Sequence, residues 1–203
     1  MNSSISSDDP VARRIVAAAR AHFLQHGFRT VTMDDLATEM GMSKKTLYVH
    51  FKGKRELLQA VMETKLAQFQ GDMAAIHSEE PALFADTLHQ LLNCALGHAR
   101  EVTPTFVRDL LREAPDLLEL MKVRRRAVVA HTFGRLLRVG QEANAVRKDI
   151  SVEALVMILL GTTEVVATPE NVAARGVSPS VIINEVLSVF LQGVLTEKGR
   201  MHI

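Results

Sequence analysis

Cys94 and His98 stand one helical turn apart, a spacing at which an imidazole could take the proton of a thiol nucleophile. No third group to orient the base and no oxyanion element accompanies them, so an enzyme is not expected. His22 and His26 repeat the i, i+4 spacing and could share a metal, but no third ligand stands near and His22 is expected to face a core. No metal site and no cofactor is expected. The cations say more. Lys44, Lys45, Lys52, Lys54 and Arg55 fall within twelve residues that hold no Asp or Glu, a cluster suited to a polyanion, although such clusters also occur as plain solvated surface. Interleaved with them are Thr46, the only tyrosine of the chain, Tyr48, and His50, side chains that reach phosphates and base edges. A second basic run, Lys122 to Arg126, is flanked by Glu113, Asp116 and Glu119 and reads as a solvated helix face.

Something must hold the first cluster in place, and residues 32–51 supply it. Thr32 can cap a helix with Asp35 answering three residues on and Val31 packing on Leu36. That helix stops at Gly41. Ser43 then caps a second short helix, with Met42 stapled to Leu47, which ends near Phe51 before Lys52-Gly53. Ala37 is small where two helices must approach, Gly41 suits the turn, and Leu36, Met40, Leu47 and Phe51 sit at helical spacing as a shared core. This is the pattern of a helix-turn-helix, whose second helix enters the major groove N-terminus first. Its outward set is Lys44, Lys45, Thr46, Tyr48 and His50. Lys44 and Lys45 in one first turn, and Lys54 and Arg55 in the next, oppose the helix dipole at a cost of up to about 1 kcal/mol each, a sign that an arriving phosphate reverses.

The rest of the chain is read as all-α. Aromatic residues make up 4%, hydrophobic residues 47% and charged residues 23% of 203 residues, with few alternating β-branched runs. A first helix at about 9–26 starts at Asp8 or Asp9 with Pro10 in its first turn, after a Ser/Asp-rich start expected to fray, and places Ile15, Ala18, Ala19, His22 and Phe23 on one face. With Gly27 left-handed, Phe28 packs back on Phe23. Further helices are expected at about 54–77, 81–99, 104–113, 116–142, 152–167 and 179–197, about nine in all. We divide the chain at 55/56, giving a DNA-binding domain at 1–55 and a second, larger helical domain at 56–203. Net charge divides likewise, with nine Lys/Arg against five Asp/Glu in the first part and fifteen against eighteen in the second. The helices from Val152 to Val166 and from Val181 to Leu195 are apolar on most of their circumference, which suggests that a second copy covers one face of each. A single Cys, no leader-like N-terminus and no apolar run of membrane-spanning length point to the cytoplasm and away from a membrane.

From Ala17 to Leu58, above all in HFLQHGFRTVTMDDLATEMGMSKKTLYVHFKGKRELL, the chain resembles the TetR family of repressors. The resemblance implies that Thr32 and Tyr48 contact backbone phosphates, that Lys44, Lys45 and Thr46 face bases or phosphates, that His50 lines the groove and that Lys54 touches phosphate. It further implies a double-stranded DNA operator, a homodimer through the last two helices and an all-α domain for a small-molecule effector. Residues of central helices that mix apolar bulk with a polar tip, Cys94, His98, Phe106, His131, Phe133 and Thr163, are the candidates for lining that cavity, and the scarcity of buried charge favours an apolar or aromatic effector. A DNA-binding protein without effector, and a helical enzyme or carrier built on the same scaffold, remain as alternatives.

Overall fold

Asp9 opens the first helix by accepting the backbone N–H of Val11 and Ala12, which supplies partners for donors that a helix start leaves bare. The structure, a computed structural model, describes residues 9–77 and 80–200; Asp8, the alternative cap, and the start at 2–8 lie outside them. Along the described residues run α1 (Pro10–His26), α2 (Met33–Glu39), α3 (Lys44–His50) and α4 (Lys54–Ala75), then a 3-10 turn at Pro81–Leu83. They are followed by α5 (Phe84–Arg100), α6 (Pro104–Glu113), α7 (Pro115–Glu142), α8 (Val152–Val166), α9 (Pro169–Arg175), α10 (Pro179–Val194) and α11 (Glu197–Arg200). The fold is all-α, with eleven α-helices among the described residues instead of about nine.

The two additional helices are α9 and α11. α9 has full punctuation, Thr168 accepting the N–H of Asn171, Pro169 in the first turn and Gly176 left-handed at φ 62°. At seven residues it is too short to display a helical period. α10 ends three residues before the expected 197, because Leu195 turns extended and forms a single antiparallel bridge with Val146, beside which Thr196 donates its N–H to Ala145 O.

Two further expectations are corrected. Gly27 has positive φ but ψ of 160°, so it is not the left-handed residue of a Schellman turn; Phe28 still meets Phe23 edge to face, with ring centroids 5.3 Å apart. His22 does not enter the core: it is half-buried and its Nε2 pairs with Glu39 at the end of α2.

Two large hydrophobic cores result, with a small third cluster of Val107, Val172 and Ile182 joining α6, α9 and α10. The first gathers α1, α2, α3 and the first turns of α4, and it continues into α6 and the start of α7 through Phe106, Leu110, Ala114, Leu117 and Met121. The second gathers the latter half of α4 with α5, α7, α8 and α10. Phe23, Phe51 and Phe106, all fully buried, anchor the first, and burying such a side chain is worth about 1.5–3 kcal/mol. No single helix among the described residues is long and apolar enough to cross a membrane.

Candidate nucleic-acid interface and effector cavity

α2 and α3 are seven residues each, too short to stand alone, and are held by their caps and a shared floor. Thr32 Oγ1 accepts the N–H of Asp35, whose carboxylate accepts the N–H of Thr32 at 2.9 Å and its hydroxyl at 2.7 Å. The hydroxyl and backbone of Thr32 hold that carboxyl below its ordinary range. Gly41 is left-handed at φ 62°, and Met42 closes the turn by donating its N–H to Ala37 O at 2.9 Å. Ser43 caps α3 by accepting the N–H of Thr46 at 3.1 Å. Leu36, Ala37, Leu47 and Phe51 are buried beneath.

That floor leaves Lys44, Lys45, Thr46, Tyr48 and Val49 outward. Val49, 74% exposed, is a residue that sequence reasoning missed. Its signal was register, since two positions beyond Leu47 it cannot share the buried face. An exposed branched apolar side chain amid donors suits the methyl group of a thymine.

The other candidates are tied down. His50 is half-buried, with Nδ1 2.9 Å from Asp9 Oδ2, so it leaves the outward set and braces α3 against the cap of α1. Lys44 Nζ meets Asp34 of α2 at 2.5 Å, which offsets its cost against the helix dipole, whereas Lys45 carries no ion pair among the described residues. Lys54 folds back on the α1–α2 turn, its Nζ 3.2 Å from Arg29 O and 4.3 Å from the centroid of Phe28. Burial there pushes its pKa down, against the pull of Asp109, Glu113 and Asp35. Arg55 forks onto both oxygens of Asp116 and donates to Glu113 O; it joins α4 to α7 and does not belong to the groove-facing cluster.

The six cavity candidates are not gathered in one place. His98 and Phe106 line a cavity of about 190 Å³ among α4, α5, α6, α7 and α9. Phe133 and Thr163 line one of about 330 Å³ among α7, α8 and α10. Ala95, Lys122, Arg125, Ala167 and Pro179 belong to both, so the two are continuous. His131 lines a third, of about 390 Å³, among α4, α5 and α7. Cys94 lines none of these three. Burial pushes its thiol up, which disfavours the nucleophilic thiolate, and His98 Nε2 is engaged by Asp72 Oδ2 at 2.8 Å. Thr163 spends its hydroxyl on Leu159 O at 2.7 Å.

α6 connects cavity and head. Phe106, Val107 and Leu110 face the cavity, while at the N-terminal cap of α6 Thr103 donates to Leu24 O at 2.8 Å and, within it, buried Asp109 accepts the N–H of Arg29 at 2.9 Å. A second route runs through charge: Arg20 of α1 donates to Glu101, which also accepts from Lys65 on the cavity wall at 2.8 Å.

Comparison with known proteins agrees with this geometry. The family model described as Bacterial regulatory proteins, tetR family, matches residues 15–61. The HTH-type transcriptional regulator UidR of Escherichia coli is 24% identical over 97% of this chain and 98% of its own. Among solved structures, a transcriptional regulator from Cytophaga hutchinsonii aligns with a TM-score of 0.65 at 19% identity, over 93% of this chain and 100% of that one. The SmeT–triclosan complex aligns with a TM-score of 0.63 at 17% identity, over 93% of each.

Proposed function

We propose that the chain is a member of the TetR family of bacterial regulatory proteins, whose model matches residues 15–61, and that it is a homodimeric repressor, released from a palindromic operator by a small effector of mainly apolar or aromatic bulk. The observation that carries the DNA-binding half is the division of α3: Leu47 is fully buried while Lys45, Thr46, Tyr48 and Val49 stand in solvent on a helix whose first turn is basic. Lys45 and Tyr48 contact phosphate or base edge, Thr46 and Val49 read bases, and Thr32 reaches phosphate from the start of α2. Lys44 reaches DNA by exchanging Asp34 for phosphate. Lys54 and His50, held by Arg29 O and Asp9, orient the groove surface more than they touch it.

A twofold partner fits the far end of the chain. Met157 (63% exposed), Ile158 and Val165 (73%) form a strip along α8, and Val181 and Val189 (74%) along α10. Two copies joined there present two α3 helices, which is why the operator is expected to be palindromic. On this reading residues 1–55 hold DNA and residues 56–203 dimerise and bind effector. The similarly folded SmeT has been solved with triclosan, and the cavity beside α6 is where an effector would act here. Filling it moves α6, and with it the turn at Gly27, so that one arrangement of the two heads is favoured over another.

The test is selection of bound duplexes from a randomised library, followed by footprinting. A palindrome protected in two successive major grooves supports the reading, and binding without sequence preference, or to a single half-site, overturns it.

A further inference from the structure

Four cations line the two continuous cavities: Lys65, Lys122, Arg125 and Arg126. Three are already answered. Lys65 is met by Glu101 at 2.8 Å and Lys122 by Glu119 at 3.2 Å. The next residue along, Arg126, forks onto both oxygens of Glu164 at 2.7 and 2.8 Å. Arg125 has no such partner: no carboxylate among the described residues lies within ion-pair distance, and its guanidinium stands 5.9 Å from the centroid of Phe69. The acids bordering the cavity, Glu119 and Glu164, are both committed to its neighbours.

The surroundings make this shortage matter. Met62, Leu66, Phe69, Phe106 and Leu110 give the cavity an apolar body. Protein atoms crowd the Arg125 head and lower its proton affinity, but the residue is exposed to solvent; a guanidinium so placed stays charged. On the facing helix His98 Nδ1 is buried without a hydrogen-bond partner. Arg125 is exposed as a residue, so water meets part of its charge, but the part of the side chain that lines the cavities finds no free carboxylate there. An anion entering from solvent meets an unpaired guanidinium at that wall.

We propose that the effector is an amphipathic organic anion whose single carboxylate pairs with the Arg125 guanidinium while its apolar body lies along Phe69 and Phe106. This rests on the effector-binding reading above and narrows it: the sequence favoured an apolar or aromatic molecule because few buried charges were suggested, and the fold sets one member of the exposed basic run at 122–126 on the cavity wall without a carboxylate partner. A guanidinium accepts a carboxylate in a two-point fork, which a neutral head cannot reproduce.

Matched probes separate the two readings. Isothermal titration of the full-length protein compares octanoate with octanol and 2-naphthoate with 2-naphthylmethanol. At least one acid is expected to bind about tenfold tighter than its alcohol, a difference typical of a charge-assisted fork. Arg125→Met should abolish that preference while leaving alcohol binding in place, which also shows that the variant folds, and Arg125→Lys should keep part of it. If the wild type binds alcohols as well as acids, the anion assignment fails and the effector reading survives. If an acid preference persists in Arg125→Met, the anion sits elsewhere and the assignment to Arg125 is wrong. If none of the four probes binds to a protein that still binds DNA, both readings fall.

Discussion

Lys45, Tyr48 and Val49 lie within two turns of one helix and are expected to fail differently when changed. Lys45→Ala should weaken binding to all duplexes and lower the slope of log affinity against log salt by about 1, the signature of one lost phosphate contact. Val49→Ala should leave that slope alone and relax preference at a single base pair by about 1 kcal/mol, read from competition between selected and mismatched duplexes. Thr32→Ala should cost about 1 kcal/mol in thermal unfolding, because it leaves the N–H of Asp35 without its cap. The caps at Thr32 and Ser43 were legible in the sequence because cap and capped group lie three residues apart. The fates of Lys44, His50, Lys54 and Arg55 were not. Their partners, Asp34, Asp9, the carbonyl of Arg29 and Asp116, lie 10 to 61 residues away, a distance over which only the packing of whole helices brings groups together.

At the scale of elements, α6 joins the cavity wall to α1 and the turn after it, through Thr103 on Leu24 and Asp109 on Arg29. A methyl group on Gly27 would lie 2.7 Å from Asp109 Oδ2 and 2.8 Å from Thr105 Cγ2, at a residue whose φ of 86° already disfavours a side chain. Gly27→Ala is therefore expected to cost about 1–3 kcal/mol in unfolding and to weaken operator binding beyond that loss, since α6 must back away from the head. The ion triad of Arg20, Glu101 and Lys65 is a second brace. Burial raises the Glu101 pKa, but hydrogen bonds from Lys65 and Arg20 outweigh it and hold the carboxyl below its ordinary value of 4.5. A depressed carboxylate stabilises the fold above that ordinary value and loses its contribution as the pH falls through the depressed one. Acid titration should thus show a loss of stability beginning below pH 4.5 that is reduced in Glu101→Gln, and unchanged acid sensitivity in that variant would remove the triad from the account. Helix boundaries were legible where Pro, Gly or a capping hydroxyl bracketed a run long enough to show a helical period, as at 104–113, but not at α9, whose full punctuation encloses only seven residues. Which helix face met which neighbour was not, and the six cavity candidates accordingly scattered over separate walls.

For the whole molecule, the exposed strips on α8 and α10 predict that Met157→Glu with Val189→Glu yields a monomer in sedimentation. Operator affinity should fall by about 100-fold or more, because each head then binds alone, while the circular dichroism of the helices is preserved. A dimer that persists would move the interface elsewhere. One more property belongs to the chain as a whole. It contains a single tyrosine and no tryptophan, so its emission on excitation beyond the phenylalanine absorption band arises from one ring, and that ring is Tyr48, 48% exposed on α3. Fluorescence of the untagged protein is therefore an occupancy gauge for the groove-reading surface: operator should quench it, effector added to the free protein should leave it unchanged, and effector added to the complex should bring the light back.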